Sequence, residues 1–87
     1  MTVAPQTRTI RRIVIRHFLE FGLQPCHLLE LREKIRINRG RYVARTYRAG
    51  NLMAMWLVGY GLLQVYDDEG NILRSVNLLE ELKEAAA

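Results

Sequence analysis

Five arginines in the middle of the chain form the cluster that is best suited to chemistry. They are Arg36, Arg39, Arg41, Arg45 and Arg48. A guanidinium group binds a phosphate or the edge of a guanine through two parallel hydrogen bonds, which a lysine ammonium group cannot do. Tyr42 and Tyr47 lie between these arginines and can add hydrogen bonds to phosphates. The cluster therefore predicts contact with a nucleic acid; the alternatives are another acidic partner or a solvated surface without a binding role.

The charge of the chain is distributed unevenly, which also favours a polyanionic partner. The 87 residues carry a formal net charge of +4. Residues 1–48 hold eleven basic and three acidic residues, a net charge of +8, whereas residues 49–87 hold two basic and six acidic residues, a net charge of −4. Such asymmetry indicates a polyanion on one side of the molecule. A solvated charged surface is the alternative interpretation.

The remaining polar residues do not form the arrangements that catalysis or metal binding requires. Cys26, His27 and His17 supply only three potential ligands, whereas a structural zinc site takes about four. His17 falls within the apolar face of the first predicted helix, which favours a core histidine. The chain has no Ser–His–Asp arrangement, no paired carboxylates at catalytic spacing and no glycine-rich phosphate loop. We therefore expect a non-catalytic protein without a metal, a cofactor or a small-molecule substrate.

The overall composition predicts a single folded domain in the cytoplasm. With 49% apolar residues, the chain should fold, and its length suits one domain over residues 7–87 after a disordered tail at residues 1–6. The only cysteine excludes an internal disulfide and is typical of a reducing compartment. No apolar run approaches the roughly 20 residues needed to span a membrane, and the N-terminus lacks the layout of a signal peptide.

Hydrophobic periodicity predicts three helices in the first two-thirds of the chain. The first runs over residues 8–21 and ends before Gly22, a natural helix stop. The second starts at Pro25, a residue suited to a first helical turn, and runs to about residue 35. The third covers about residues 40–58, either as one helix or as two pieces broken at Gly50. On the third helix, one face is shared by Arg41, Arg45 and Arg48.

The last third of the chain predicts a β-hairpin and a short helix. Two short apolar runs, Leu62–Tyr66 and Ile72–Asn77, are separated by five residues that include Gly70, which is typical of a hairpin. Asn77, with Glu80 three residues later, resembles the capping box of a following helix.

This order of elements resembles the winged helix-turn-helix superfamily over roughly residues 9–77. The residues that carry the resemblance, similar to the start of a wing, are Leu57, Gly61, Leu62, Leu63 and Val65. It implies an α+β, winged helix-like fold: three helices followed by a two-stranded antiparallel hairpin and a short C-terminal helix. It further implies a small DNA-binding protein and transcriptional regulator, whose third helix lies in the major groove. In that arrangement Arg41, Arg45 and Arg48 would dock on the DNA, with Arg36 and Arg39 on flanking phosphates.

Two features depart from this pattern and keep a second function open. The wing tip carries Asp67, Asp68 and Glu69, which would repel phosphates. The segment from Leu31 to Gly61 is also longer than compact helix-turn-helix spacing. Since many winged helices bind proteins, the alternative is a protein–protein interaction module without nucleic-acid binding.

An apolar stripe outside the predicted core suggests a protein contact. Ile15 and Leu19 lie one turn apart on the side of the first helix that faces away from the core. Leu79 and Leu82 of the last helix would lie nearby in the expected topology. We expect these four residues to form an interaction surface, within one chain or across the two-fold axis of a homodimer.

Overall fold

The computed structural model describes residues 7–86, with side chains through residue 82. Over these residues the elements follow the order α1 (Thr7–Glu20), β1 (Arg32–Asn38), β2 (Arg41–Ala49), β3 (Leu52–Leu57), β4 (Leu62–Tyr66), β5 (Ile72–Asn77) and α2 (Leu78–Ala86). Short 3-10 segments at Pro25–Glu30 and Val58–Tyr60 connect them. The strands form one antiparallel sheet in the order β1-β2-β3-β4-β5, so each strand pairs with its neighbour in sequence.

The apolar stripe of α1 packs on one face of the sheet, which we call the inner face. Ile10, Val14 and Phe18 are fully buried there. They share one core cluster with residues of four strands, namely Tyr47, Ala49, Leu52, Ala54, Trp56, Leu63, Val65 and Val76. The inward side chains of β3 alternate with outward ones, as expected for a strand that is covered on one side. The opposite face of the sheet is called the outer face.

The second α-helix is tied to α1 through a buried histidine. The imidazole of His17 lies 2.8 Å from Glu81 Oε1 through Nε2 and 2.8 Å from Arg74 Nη1 through Nδ1. A carboxylate only accepts and a guanidinium only donates hydrogen bonds, so this pattern fits the tautomer with its proton on Nε2. Arg16 also donates to Glu81 at 2.7 Å. The expectation of a core histidine is therefore confirmed, and α2 lies beside the His17 side of α1.

The expected winged helix-like arrangement of three helices and a two-stranded hairpin is wrong. The predicted second helix is a 3-10 segment followed by β1, and the predicted third helix is the β2–β3 hairpin. Gly50 lies in the turn of that hairpin, so there is no continuous helix through it. The fold is α+β, but it consists of a five-stranded antiparallel sheet with one long helix.

Strand formation over residues 41–57 has a local cause and a tertiary cause. The segment contains the β-branched and aromatic residues that favour strands, Tyr42, Val43, Thr46, Tyr47 and Trp56. Gly50-Asn51 is also a two-residue hairpin signal between apolar runs. Gly50 has φ +56°, and a Cβ atom there would lie 2.8 Å from Leu23 Cδ1. Glycine is therefore favoured by the positive φ of the turn, and a larger residue would also force the Leu23 side chain to shift.

The expectations for the two ends of the described chain are confirmed. α1 covers nearly the predicted residues, and β4 and β5 have the predicted bounds. Asn77 caps α2, because its Oδ1 accepts hydrogen bonds from the backbone N–H groups of Leu79 at 3.0 Å and Glu80 at 3.4 Å. The β4–β5 hairpin is not a separate wing, since β4 also pairs with β3 along its length.

Two further expectations concern the ends of the chain and membranes. The predicted tail at residues 1–6 lies outside the described residues. Within residues 7–86, no helix has the length and apolar character needed to cross a membrane.

The burial of β3 and β4 generates a stability prediction. Leu63 is fully buried on the inner face, whereas Leu57 is half-buried on the outer face. Leu63→Ala should lower the free energy of unfolding by about 2–5 kcal/mol, and Leu57→Ala by only about 1 kcal/mol. Urea denaturation of both variants measures the difference. Equal losses would contradict the placement of these two leucines on opposite faces.

Candidate nucleic-acid interface

The cations of β1 are sorted onto the outer face by strand alternation. Arg32, Lys34 and Arg36 alternate with Glu33 and Ile35 along the strand, and successive side chains of a strand point to opposite faces. Glu33 pairs with Tyr47 of the core, so Glu33 lies on the inner face. The three cations therefore lie on the outer face.

The neighbouring strand extends the cationic surface. Arg48 pairs with Arg32, and Thr46 pairs with Lys34, so both residues of β2 share the outer face. Arg48 donates a hydrogen bond to the sulfur of Met53 at 3.5 Å. Together these residues line a depression of about 160 Å³. The lining of the depression thus combines three cations with Thr46 and Met53.

The far end of the β1–β2 hairpin projects beyond the sheet. β3 pairs with β2 only over residues 44–49, so residues 37–43 have no third strand beside them. We call residues 36–43 the ribbon; Arg36 lies at its base, in the row where Ala44 still pairs with Leu57 of β3. Every residue of the ribbon is exposed. Arg39 and Gly40 have positive φ values of +53° and +77°, which defines a two-residue hairpin turn of the primed kind.

The ribbon has two chemically different sides. Asn38 pairs with Arg41, and Ile37 pairs with Tyr42. Val43 has no partner on β1, which marks a β-bulge. Because β1 alternates regularly, Asn38 and Arg41 lie on the outer side with Arg36, whereas Ile37 and Tyr42 lie on the inner side. The edge-to-face contact of Tyr42 with Trp56, at 6.2 Å between ring centroids, is consistent with this division.

Arg45 lies apart from the other predicted contact residues. It pairs in register with the inward-facing Trp56, and its guanidinium is hydrogen-bonded to the Glu33 carboxylate, with Nε at 3.2 Å from Oε2. Arg11 of α1 binds the other oxygen of the same carboxylate. Hydrogen bonding to Glu33 raises the pKa of both Arg11 and Arg45. Arg45 therefore contributes to an internal ion cluster that joins α1 to β1 and β2.

The carboxylate at the centre of this cluster is stabilised in its charged form. Burial acts to raise the pKa of Glu33, but hydrogen bonds from Arg11 and Arg45 outweigh it and lower the pKa below its ordinary value. The side chains of Glu33 and Arg45 are only 14% and 16% exposed, whereas that of Arg11 is 52% exposed, so water screens the contact with Arg45 less than the contact with Arg11. Glu33 thereby pairs with both Arg11 of α1 and Arg45 of β2, and the three groups together keep a net charge of +1.

The outer cations have no comparable partner. Among the described residues, a carboxylate pairs with Arg11, Arg16, Arg45 and Arg74. Within the same part of the chain, no carboxylate lies within salt-bridge distance of Arg32, Lys34, Arg36, Arg39, Arg41 or Arg48. We call these six residues the outer cations. On the β1–β2 hairpin, the outer cations lie on the outer face or in the turn, whereas the paired Arg45 lies on the inner face.

The structure brings together most of the predicted arginine cluster. Arg36, Arg41 and Arg48 share the outer face, and Arg39 lies at the ribbon tip, whereas Arg45 faces inward. The docking arrangement on a third helix is wrong, because these residues belong to strands. Sequence reasoning did not assign Arg32 and Lys34 to the site, because it placed them on a second helix. The alternation of basic and other residues over residues 32–36 was the available signal.

The structure places the two halves of the predicted apolar interaction surface on α1 and on α2, and a homodimer contact between them stays a prediction. Ile15 lines a depression beside β1 with Leu28 and Leu31, whereas α2 contacts the opposite side of α1 through Arg16 and His17. Leu19 lies one turn after Ile15 on α1, whereas Leu79 and Leu82 lie on α2. Leu19 and Leu79 are 42% and 63% exposed, and Leu82 packs partly on the core.

The residues considered as metal ligands are likewise separated. Cys26 is exposed, His27 packs against Gly50, and His17 is held by Glu81 and Arg74. Within the described part of the chain, no group of three or more His, Cys, Asp or Glu residues is arranged to hold a metal ion.

Comparison with known proteins identifies no relative of the chain. It matches no protein-family model, no curated protein and no solved structure. Its function therefore has to be inferred from its own geometry.

The Glu33 cluster generates a pH-dependent stability prediction. A carboxylate whose pKa is lowered by folding stabilises the protein above its ordinary pKa of about 4.3, and this stabilisation is lost as the pH falls through the lower folded value. Glu33→Gln should therefore lower the free energy of unfolding by about 1.5–3 kcal/mol at pH 7. Below about pH 4 the difference from the wild type should shrink.

Urea denaturation between pH 3 and pH 7 measures this difference. Glu30→Gln is the matched control, because Glu30 is exposed and forms no salt bridge with a described residue. A Glu33→Gln deficit that is the same at every pH would contradict the prediction.

Tyr47 generates a second prediction at the same cluster. It is fully buried, its hydroxyl has no hydrogen-bond partner among the described residues, and burial raises its pKa to about 12. An unpaired buried polar group costs about 1–3 kcal/mol. Tyr47→Phe should therefore leave the free energy of unfolding unchanged or raise it by up to that amount. A thermal melt that shows clear destabilisation would mean that the hydroxyl has a partner.

Proposed function

We propose that the protein is a non-catalytic nucleic-acid-binding protein whose contact surface is formed by the outer cations. The observation that carries the proposal is the segregation of charge across the β1–β2 hairpin. Arginines on the inner side share the Glu33 carboxylate, whereas the outer cations have no carboxylate partner in the described chain. A row of phosphates supplies the negative charge that this surface lacks.

The positions of the outer cations support a binding role over a purely structural one. Arg32 and Arg48 are directly opposite in the sheet, and like charges at such a position destabilise a sheet. Lys34 and Arg36 follow on the same face at intervals of two residues, about 6.6 Å along the strand. A polyanion that neutralises these cations therefore stabilises the surface by removing their mutual repulsion.

The chemistry of the surface supports phosphate as the ligand. Five of the six outer cations are arginines, which form paired hydrogen bonds with phosphate oxygens. If each outer cation neutralises one phosphate, the logarithm of the binding constant should fall with the logarithm of the salt concentration with a slope of about −5. A cytoplasmic location is part of the proposal, and an exposed free cysteine is consistent with a reducing compartment.

A double substitution on the ribbon tests this function. Arg36→Ala combined with Arg41→Ala should weaken binding to random-sequence duplex DNA at least tenfold at low salt, because two charge-assisted phosphate contacts are lost. The salt slope should become less steep by about 2. Fluorescence anisotropy at several salt concentrations measures both quantities.

The matched control is Arg8→Ala combined with Arg12→Ala. Both residues are exposed on α1, form no salt bridge with a described residue, and lie on the other layer of the molecule, so the net charge changes equally. Equal weakening by the two double variants would contradict the proposed surface. Absence of wild-type binding at low salt would contradict the proposed function.

A further inference from the structure

We infer that the ribbon is a reading element for B-form duplex DNA, and that its outer side, with Arg36, Asn38 and Arg41, enters the major groove. This inference rests on the proposed function, because it specifies the nucleic acid bound by the same surface. It also assigns different tasks to the two ends of the β1–β2 hairpin.

The dimensions of the ribbon select the major groove. Neighbouring strands lie about 4.8 Å apart, so the five-stranded sheet spans about 19 Å between its outer strands, which is too broad for a groove. Beyond the row of Arg36, Ala44 and Leu57 only two strands remain, and Arg36 lies on the edge strand of that row. A two-stranded ribbon fits the major groove, which is about 12 Å wide, whereas the minor groove is only about 6 Å wide.

The side chains on the outer side of the ribbon match the edges of base pairs. Arginine binds the two acceptors of guanine, and asparagine binds the donor and acceptor of adenine. Asn38 lies opposite Arg41, and Arg36 lies two residues before Asn38, about 6.6 Å along the strand. Since base pairs repeat about every 3.4 Å, this interval corresponds to about two base-pair steps.

The cations behind and at the tip of the ribbon are placed for the DNA backbone. Arg32, Lys34 and Arg48 surround the depression on the sheet itself, where the structure is too broad to enter a groove. Arg39 lies in the turn at the opposite end. Contacts with phosphates fix the register of a protein on the duplex, and contacts with base edges read its sequence. The two groups of cations therefore have separate tasks.

The aromatic residues argue against a single-stranded ligand. Single-strand binders stack successive bases on exposed aromatic rings beside a cationic groove. Among the described residues of the five strands, the only aromatic side chain on the outer face is that of Tyr66 on β4, and it is hydrogen-bonded to Gln64. Trp56 is buried, and Tyr42, which is 37% exposed, packs edge-to-face against it on the inner side. Duplex RNA is also disfavoured, because side chains cannot read its deep, narrow major groove.

A comparison of three ligands tests the nucleic-acid class. The probes are a 20-base-pair DNA duplex, an RNA duplex of the same sequence and the single DNA strand, measured by fluorescence anisotropy with the full chain at one salt concentration. We expect at least tenfold tighter binding to duplex DNA than to either of the others. Equal or tighter binding to the RNA duplex or the single strand would overturn the inference but leave the proposed function intact. Absence of binding to all three probes at low salt would overturn both.

Selection from a random pool of DNA duplexes tests the reading of bases. The ribbon variant carries Arg36→Lys, Asn38→Ala and Arg41→Lys, which keep the net charge but remove paired and amide contacts with bases. The control variant carries Arg8→Lys, Arg12→Lys and Gln24→Ala, the same kinds of change at exposed positions outside the sheet. Thermal melts of both variants establish that they are folded.

We expect the wild type and the control variant to enrich one common sequence pattern, and the ribbon variant to enrich it at least tenfold less. The salt slope should be equal in all three proteins, because their charges are equal. An enriched pattern that survives in the ribbon variant, or a wild type that enriches no pattern, would overturn the assignment of these three residues.

Discussion

A single amphipathic helix buries one face of a five-stranded sheet, and in the described part of the chain no second layer covers the other face. Ile10, Val14 and Phe18 of α1 supply the apolar surface that the inner residues of the sheet need. An antiparallel sheet can keep one face in water when the other is packed. The chemistry of the two faces of the sheet follows from this one-sided burial, because it gives each strand residue either an apolar or an aqueous environment.

The electrostatics follow the same division. Charged groups near the low-dielectric interior need a partner, and the inner side of the β1–β2 hairpin supplies it through the Glu33 carboxylate shared by Arg11 and Arg45. The hydrogen-bonded group of His17, Glu81 and Arg74 has the same role between α1, α2 and β5. In water no such pairing is required, so the outer face can accumulate cations that remain available to a ligand.

Part of the outer charge also has a structural use. β1 is an edge strand, and lysine or arginine on an edge strand discourages pairing with another sheet. That use accounts for Arg32, Lys34 and Arg36. It does not account for Arg48 on the interior strand β2, or for Arg39 and Arg41 in a ribbon that extends past β3. Edge protection therefore explains only part of the outer cations, and the proposed binding surface includes all six of them.

The sequence by itself determined the elements whose patterns are local and unambiguous. The stripe of α1, the bounds of β4 and β5 and the Asn77 cap of α2 all depend on residues close in the chain. The charge asymmetry and four of the outer cations, Arg36, Arg39, Arg41 and Arg48, could also be read directly from it. No distant partner was needed for any of these features.

Only the tertiary structure decided the nature of residues 32–57 and the role of each arginine there. The spacing of Arg41, Arg45 and Arg48 fits one face of a helix, and a helix satisfies its hydrogen bonds locally, whereas strands need partners on other strands. In the sheet, Arg45 faces Glu33, which lies twelve residues earlier in the chain. Glu33 also binds Arg11, which lies twenty-two residues before Glu33. Which cations are neutralised and which stay available therefore depends on strand register, because a shift of one residue exchanges the two faces.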